Sequence, residues 1–277
     1  MCVPHVMQPH AAQKVTSRRA VIGVGLAGAA AVAANAAMPS VASAEQRSVS
    51  PRRKVVDLTH TAFPTFPNFF GFEMEIEPVY NIEEHGVYAN LLHVFEHFGT
   101  HWDSPAHFVA GAPANEEVPA EHLVAPLAVI DISERAAKDP DAVVLPDDIL
   151  RWERNHGQLQ AGSFLAMYSG WEKFLPTDKF LNADGDGVLH FPGWGLEAAE
   201  LLLEERDFVG LGVDTHGIDP GHDATFPVHI ATFSEGKHGL ENVANLGNVH
   251  PARMTVFIGA PKHEGGSGGP ARVLAVD

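Results

Sequence analysis

Three imidazoles and a carboxylate crowd into eleven residues, His97-Phe-Gly-Thr-His101-Trp-Asp103-Ser-Pro-Ala-His107. Neutral imidazole and ionised carboxylate are the ligands that zinc and manganese take, and a catalytic centre uses about three protein ligands with one position left for water. His97, His101 and Asp103 supply such a set, with His107 beside them as a proton carrier. Ligands of one ion must converge, whereas a straight strand would separate positions 97 and 103 by roughly 20 Å. The chain must therefore bend, and Gly99, which tolerates positive φ, is the natural place. A helical turn over 97–101 would also bring the rings together. Pro105 ends any regular element that enters from the N-terminal side. The stretch also alternates, with Phe98, Trp102 and Phe108 at even positions, which is the pattern of a half-buried strand whose histidines are merely exposed.

Other residues with chemistry in them are more scattered. Asp214-Thr215-His216 follows a strand-like run, and Pro227-Val228-His229 is followed twelve residues later by Glu241-Asn242. Alone, such a His or Glu is more often a hydrogen-bonded structural residue than a ligand. Residues 62–72 hold Phe63, Phe66, Phe69, Phe70 and Phe72 with Pro64 and Pro67, too broken for a helix or central strand. They suit a pocket wall, although any single ring reads equally well as core. Asn182 to Gly187 resembles a calcium loop, but Gly193 stands where its twelfth-position glutamate belongs, so it reads as a turn. No Gly-x-Ser-x-Gly elbow occurs, which excludes that serine-nucleophile design; Gly266-Ser267-Gly268 belongs to a glycine-rich loop.

The elements that must position these groups are mostly strands. Apolar or β-branched runs between turn residues predict strands at 54–58, 74–79, 87–94, 127–132, 164–168, 208–213, 255–258 and 272–276. Helical spacing appears at 196–206, and at 146–155, which opens on Pro146 and two aspartates suited to a helix N-terminus. Strands dominate the first half and alternate with helices later, which predicts an α/β domain with a mixed β-sheet or barrel-like core and flanking helices.

Residues 1–44 carry Lys14, Arg18 and Arg19 and no acid, then an Ala/Gly/Val-rich run from Ala20, closing on Ala42-Ser43-Ala44. That is the pattern of an export signal, and Ser17-Arg18-Arg19 resembles the twin-arginine type, with Val21 where that motif usually has Phe. The eighteen uncharged residues Ala20–Ala37 are also long enough for an anchor, but the run is weakly hydrophobic and its small-residue ending favours cleavage. Cleavage after Ala44 leaves 233 residues (277 − 44), a linker over 45–53 and one domain over 54–277. The mature chain has 15 basic residues (18 − 3) against 35 acids, a formal charge of −20 that disfavours nucleic acid and anionic membranes as partners. The only cysteine, Cys2, lies in the signal, so any metal must be held by His, Asp or Glu.

The run His97-x-Gly99-Thr100-His101-x-Asp103-x-Pro105-x-His107 resembles the signature of the cyclase family of metal-dependent hydrolases, which includes arylformamidases and isatin hydrolases. The likeness extends through Val56-Asp57-Leu58-Thr59-His60, Pro64-Thr65-Phe66-Pro67, Ser169-Gly170-Trp171, Phe191-Pro192-Gly193, Gly212-Val213-Asp214-Thr215 and Glu241 to Leu246. It implies a swivelling β/β/α fold and a centre in which His97, His101 and Asp103 bind metal, His107 moves protons, and His229 and Glu241 complete the site. Asp103 and Glu241 bridge in two-metal members, so one or two ions, zinc or manganese, are expected, with Glu241 counted as catalytic beside His107. Phe63, Phe66, Trp102 and Asp214 are the candidate substrate contacts; Phe66 stands where formamidases usually have Trp, and Gly217 where the family commonly has Ser. The implied activity is hydrolysis of a non-peptide C–N bond in an aryl formamide, cyclic imide or lactam, by a metal-activated water on a small-molecule substrate. The same residues would serve a lactone hydrolase or dehydrating cyclase, and the ligands alone a non-catalytic binding protein. Family members are commonly dimers or larger.

Overall fold

The computed structural model describes residues 54–277. The export signal and linker expected before residue 54 lie outside them. Thirteen strands follow in chain order: β1 (Val55–Asp57), β2 (Glu75–Tyr80), β3 (Ala89–His93), β4 (His101–Asp103), β5 (Val124–Asp131), β6 (Val143–Val144), β7 (Ser163–Tyr168), β8 (Gly193–Trp194), β9 (Phe208–Val213), β10 (His238–Glu241), β11 (Met254–Gly259), β12 (Gly268–Pro270) and β13 (Arg272–Val276). The α-helices are α1 (Ile82–His85), α2 (Ser133–Ala136), α3 (Pro146–His156), α4 (Leu196–Glu205) and α5 (Pro227–Ser234).

Nine strands form one mixed sheet in the order β1-β13-β11-β5-β7-β9-β10-β4-β12. Its centre, β5-β7-β9-β10, is parallel, while β4 runs antiparallel to both β10 and β12. Strand alternation divides the apolar residues between two cores. Ala128, Ile130, Leu165, Met167, Leu211 and Val213 face the side covered by α4 and α5, where Trp194, Leu202 and Phe233 complete the packing. Leu127, Val129, Phe164, Ala166 and Leu240 face the other side, against Trp102, Val256 and Val273. Parallel strands covered on both faces explain the near-continuous apolar runs at 164–168 and 208–213.

This is the mixed α/β architecture expected, and the eight expected strands and two expected helices form within a few residues of their predicted limits. Five short strands (β4, β6, β8, β10, β12) and three helices (α1, α2, α5) are absent from the expected elements, and β4, β10, β12 and α5 among them build the site. α5 is hidden because Val228, His229, Thr232 and Phe233 are all buried, which blurs the polar-to-apolar contrast of a surface helix. Residues 62–72 form turns without a regular element, as their two prolines require.

Candidate metal centre and active site

The register of β4 against β10 sets the floor of the site. His101 lies opposite Glu241 and Asp103 opposite Gly239, so all point to the face of the sheet that α5 covers. The bend that brings His97 back is at Gly99, with φ +65°. Pro105 then opens a 3₁₀ turn, Pro105–His107, that carries His107 over the cluster, its ring stacked on His97 with centroids 3.7 Å apart. α5 delivers His229 from above.

Asp103 Oδ1 lies 2.6 Å from His97 Nδ1 and 3.3 Å from His101 Nε2. Glu241 Oε2 lies 3.3 Å from His101 Nε2, and its Oε1 3.2 Å from His229 Nε2. Asp103 Oδ2 is 3.8 Å from His229 Nε2 and has no hydrogen-bond partner despite complete burial. Each ring is held from behind. His101 Nδ1–H donates to the Gly99 carbonyl at 2.9 Å, and His229 Nδ1–H to Asp219 Oδ2 at 2.5 Å, while Asp219 also accepts from the Val228 and His229 amides. His97 Nε2–H points to Ser267 Oγ at 2.9 Å, and Ser267 donates onward to Glu96 Oε2 at 2.7 Å; Glu96 is in turn 2.6 Å from His263 Nε2. Such backing fixes each tautomer and leaves the inner nitrogen as a lone-pair donor. Gly268 belongs to the same arrangement, because a Cβ there would lie 2.7 Å from His97 Cε1 and 2.5 Å from the Trp102 carbonyl.

Two buried carboxylates meet here, and among the described residues no Lys or Arg pairs with either. Protons stand in for the missing cation. Burial alone would lower the pKa of His101, but Asp103 and Glu241 overrule it and push it up to about 9. His229 is likewise raised against its burial by hydrogen bonds to Asp103, Asp219 and Glu241. Ligand atoms of His101, Asp103 and Glu241 lie within 4.8 Å of one another, as do those of His97, Asp103 and His107. A bare buried carboxylate oxygen, three rings with their tautomers set and no thiolate fit a divalent ion of the zinc or manganese kind. His107 differs from His101 and His229: burial lowers its pKa to about 4, so it is neutral at pH 7.

Above this floor is a cavity of about 270 Å³ walled by Phe69, Phe70, Phe108 and Phe226, with His97, His101, His107, His216, His229 and Glu241 at its base. A second cavity of about 400 Å³ shares Phe69, Phe226 and His229 and is lined by Gly217 and His222. His216 connects wall to floor. Its Nε2 accepts from the Phe69 amide at 2.9 Å, and its Nδ1 faces Asn242 Oδ1 at 3.4 Å, while Asn242 Nδ2 donates to the Gly99 carbonyl. Burial lowers the pKa of His216 to about 4, consistent with this acceptor role.

The structure thus brings together His97, His101, Asp103, His107, His229 and Glu241. It separates the four expected substrate contacts from the cavity. Trp102 is fully buried on the opposite face of β4, its indole N–H donating to His238 Nδ1 at 2.9 Å. Asp214 is a structural anchor that accepts from the Ser169 amide and hydroxyl and the Trp171 amide. Phe66 packs with Phe98 and Met74, and Phe63 against that cluster, so neither lines the cavity; Phe69 and Phe70 of the same stretch do. Asp219 and His216 are the functional neighbours missed in the sequence. His216 had a signal, its place beside Asp214-Thr215 at the end of β9, while nothing in the sequence marks Asp219.

Residues 56–220 match the sequence model of the Cyclase family, well over half the chain. The chain belongs to the cyclase family. It is 35% identical to the isatin hydrolase of Roseibium aggregatum over 216 residues, 74% of this chain and 81% of that protein. It is 26% identical to the kynurenine formamidase of Salinibacter ruber over 198 residues, covering 71% and 84%. Among solved structures, isatin hydrolase A from Labrenzia aggregata bound to benzyl benzoate superposes with a TM-score of 0.77 at 33% identity, over 81% of this chain and 93% of that one. An isatin hydrolase bound to the product analogue thioisatinate gives 0.76 at 31%, over 81% and 92%. Membership of the cyclase family makes this chain a metal-dependent hydrolase of small molecules.

Proposed function

We propose that this protein hydrolyses the C–N bond of a cyclic or N-acyl aromatic amide, a lactam of the isatin type before an aryl formamide. The observation that carries the reading is the placement of a neutral His107 over a histidine–carboxylate cluster at the base of a phenylalanine-walled cavity. Its size suits a molecule of one or two fused rings, near the lower end of small-molecule sites. The 35% identity to an isatin hydrolase supports the lactam over the formamide.

His97, His101, Asp103, His229 and Glu241 would hold one or two divalent ions, zinc or manganese. When bound, such an ion lowers the pKa of water from about 15.7 to about 7 and polarises a carbonyl. The protein's own groups do the rest. The phenylalanine rings hold the aromatic part of the substrate and exclude bulk water, which strengthens every charge interaction at the floor. His107 accepts the proton of the attacking water and returns it to the departing nitrogen, so the leaving group departs as a neutral amine. One of its ring nitrogens lies near enough to His97 and Asp103 to count as a further ligand, which the test separates. His107→Ala should lower kcat by about 10²- to 10⁴-fold on isatin-like lactams while metal content by elemental analysis is unchanged. Loss of metal with activity would make His107 a ligand, and full activity would remove it from the mechanism.

We further propose export by a twin-arginine-type signal and a homo-oligomeric working form. Among the described residues no helix is long and apolar enough to cross a membrane. Replacing Arg18 and Arg19 with Lys should retain the protein inside the cell; unchanged export in fractionation would exclude that route.

A further inference from the structure

Away from the metal centre, the carboxyl ends of β5 and β7 open into a cavity of about 390 Å³ that shares no residue with the two cavities over the site. Asp131 and Tyr168, the paired last residues of these parallel strands, both line it. α3 forms one side with Arg151 and Trp152, and the segment from Leu246 to Pro251 forms another. On its other edge β5 pairs antiparallel with β11, so the parallel part of the sheet ends here. Crevices outside the carboxyl ends of strands, where the order of a sheet changes, are where open α/β sheets hold ligands.

The lining calls for a particular chemistry. Trp152 Nε1–H is buried and has no hydrogen-bond partner. An indole nitrogen can only donate, and a buried donor left without an acceptor costs stability, so Trp152 asks for an oxygen. Tyr168 brings a hydroxyl to the same cavity, and the chain keeps room for it: a Cβ at Gly247 would stand 2.8 Å from that oxygen. Charge adds to these donors. The buried Asp148 is paired with two guanidiniums, Arg135 and, at 2.5 Å, Arg151 Nη2, which leaves one positive charge in excess on this side. On the strand side stands the Asp131 carboxylate, whose Oδ1 accepts the Ser133 amide at 2.8 Å, leaving Oδ2 for an N–H. Two cations therefore balance two carboxylates, which disfavours a polyphosphate and suits a ligand that carries both an acid and an amine. Rings give the cavity flat walls, with the centroids of Trp152 and His156 5.1 Å apart. Its volume lies in the range of small-molecule sites.

We propose that this cavity binds a small aromatic amino-carboxylate, its carboxylate on Trp152 Nε1, Tyr168 Oη and Arg151 and its amine on Asp131. Opening a cyclic amide at its C–N bond leaves a carboxylate and an amine on one molecule, so the product of the proposed reaction belongs to this class; the cavity's chemistry does not depend on that reaction. Calorimetric titration of the metal-loaded protein with ortho-aminobenzoate should show saturable binding below about 1 mM. Benzoate and aniline, each lacking one of the two groups, should bind at least about tenfold more weakly. Trp152→Phe and Arg151→Gln should each weaken ortho-aminobenzoate by about 10- to 100-fold and leave lactam turnover unchanged. Undiminished binding in both variants would put the probe at the metal centre and overturn the site, as would absence of binding up to about 10 mM. Benzoate binding as tightly as ortho-aminobenzoate would overturn the amine contact. Binding by a protein without lactam activity would support the site and count only against the reaction. Should Trp152→Phe misfold, Asp131→Asn at an exposed position decides: it should bring ortho-aminobenzoate down to the affinity of benzoate, and an unchanged preference overturns the assignment.

Discussion

Among the described residues a buried and a surface histidine–carboxylate cluster can be set side by side, and of these two only the buried one has the marks of a metal site. At the surface, Asp141 lies 2.9 Å from His190 Nδ1 and 3.2 Å from His222 Nδ1, with Asp184 a further 3.5 Å from His190 Nε2. Its side chains are partly open to water, which completes their hydrogen bonding, and the hydrogen bond to Asp141 simply raises the His190 pKa. In the buried cluster the same residue types cannot call on solvent. There Asp103 Oδ2 is left bare, and two carboxylates share protons on His101 and His229. Residue type supplies affinity, but burial without a fixed cation creates the demand for one.

Replacing Asp103 tests that contrast most severely. Asp103→Asn keeps the shape and removes the shared charge, and should reduce metal affinity and turnover by at least about 10³-fold, read by elemental analysis and a lactam assay. A variant that keeps its metal would show that burial is not what distinguishes the clusters. Ser267→Ala should weaken metal binding about 10- to 100-fold, the usual cost of losing an outer hydrogen bond to a ligating histidine, with Ser267→Thr restoring it. Equal affinity in chelator competition would detach Ser267 from the site.

Acidity sharpens the comparison further. Because the folded pKa of His101 is raised to about 9, the stability its carboxylate pairs give the metal-free protein is present below pH 6.5 and lost as pH rises through about 9. Metal must displace that proton, so apparent affinity should rise up to about tenfold per pH unit between pH 6 and 8. A flat profile in chelator competition would mean that His101 is not protonated without metal. The smallest effect belongs to the surface: Asp141→Asn should change stability by no more than about 0.5 kcal/mol and leave metal content untouched. A large loss of either would erase the distinction.

Much of the centre was legible because the bend at Gly99 and the ligand types sit within eleven residues. The error at Trp102 was legible too. If His101 and Asp103 face the site from a strand, the residue between them must face away, and it does. The aromatic segment was less readable. A run broken by prolines has no period, so nothing in the order Phe63, Phe66, Phe69, Phe70 says which rings reach the cavity. β10 was invisible because His238-Gly-Leu-Glu241 has a single large apolar residue; it becomes a strand through the neighbours β9 and β4 on either side.

The wall residue at position 69 is tied to His216 twice, through its backbone amide at 2.9 Å and through its ring, whose centroid lies 4.3 Å from that of the imidazole. The amide bond does not depend on the side chain, so position 69 offers a way to recut the cavity for larger or smaller substrates with the loop still tied to His216, while any loss of the ring contact is felt at that imidazole first.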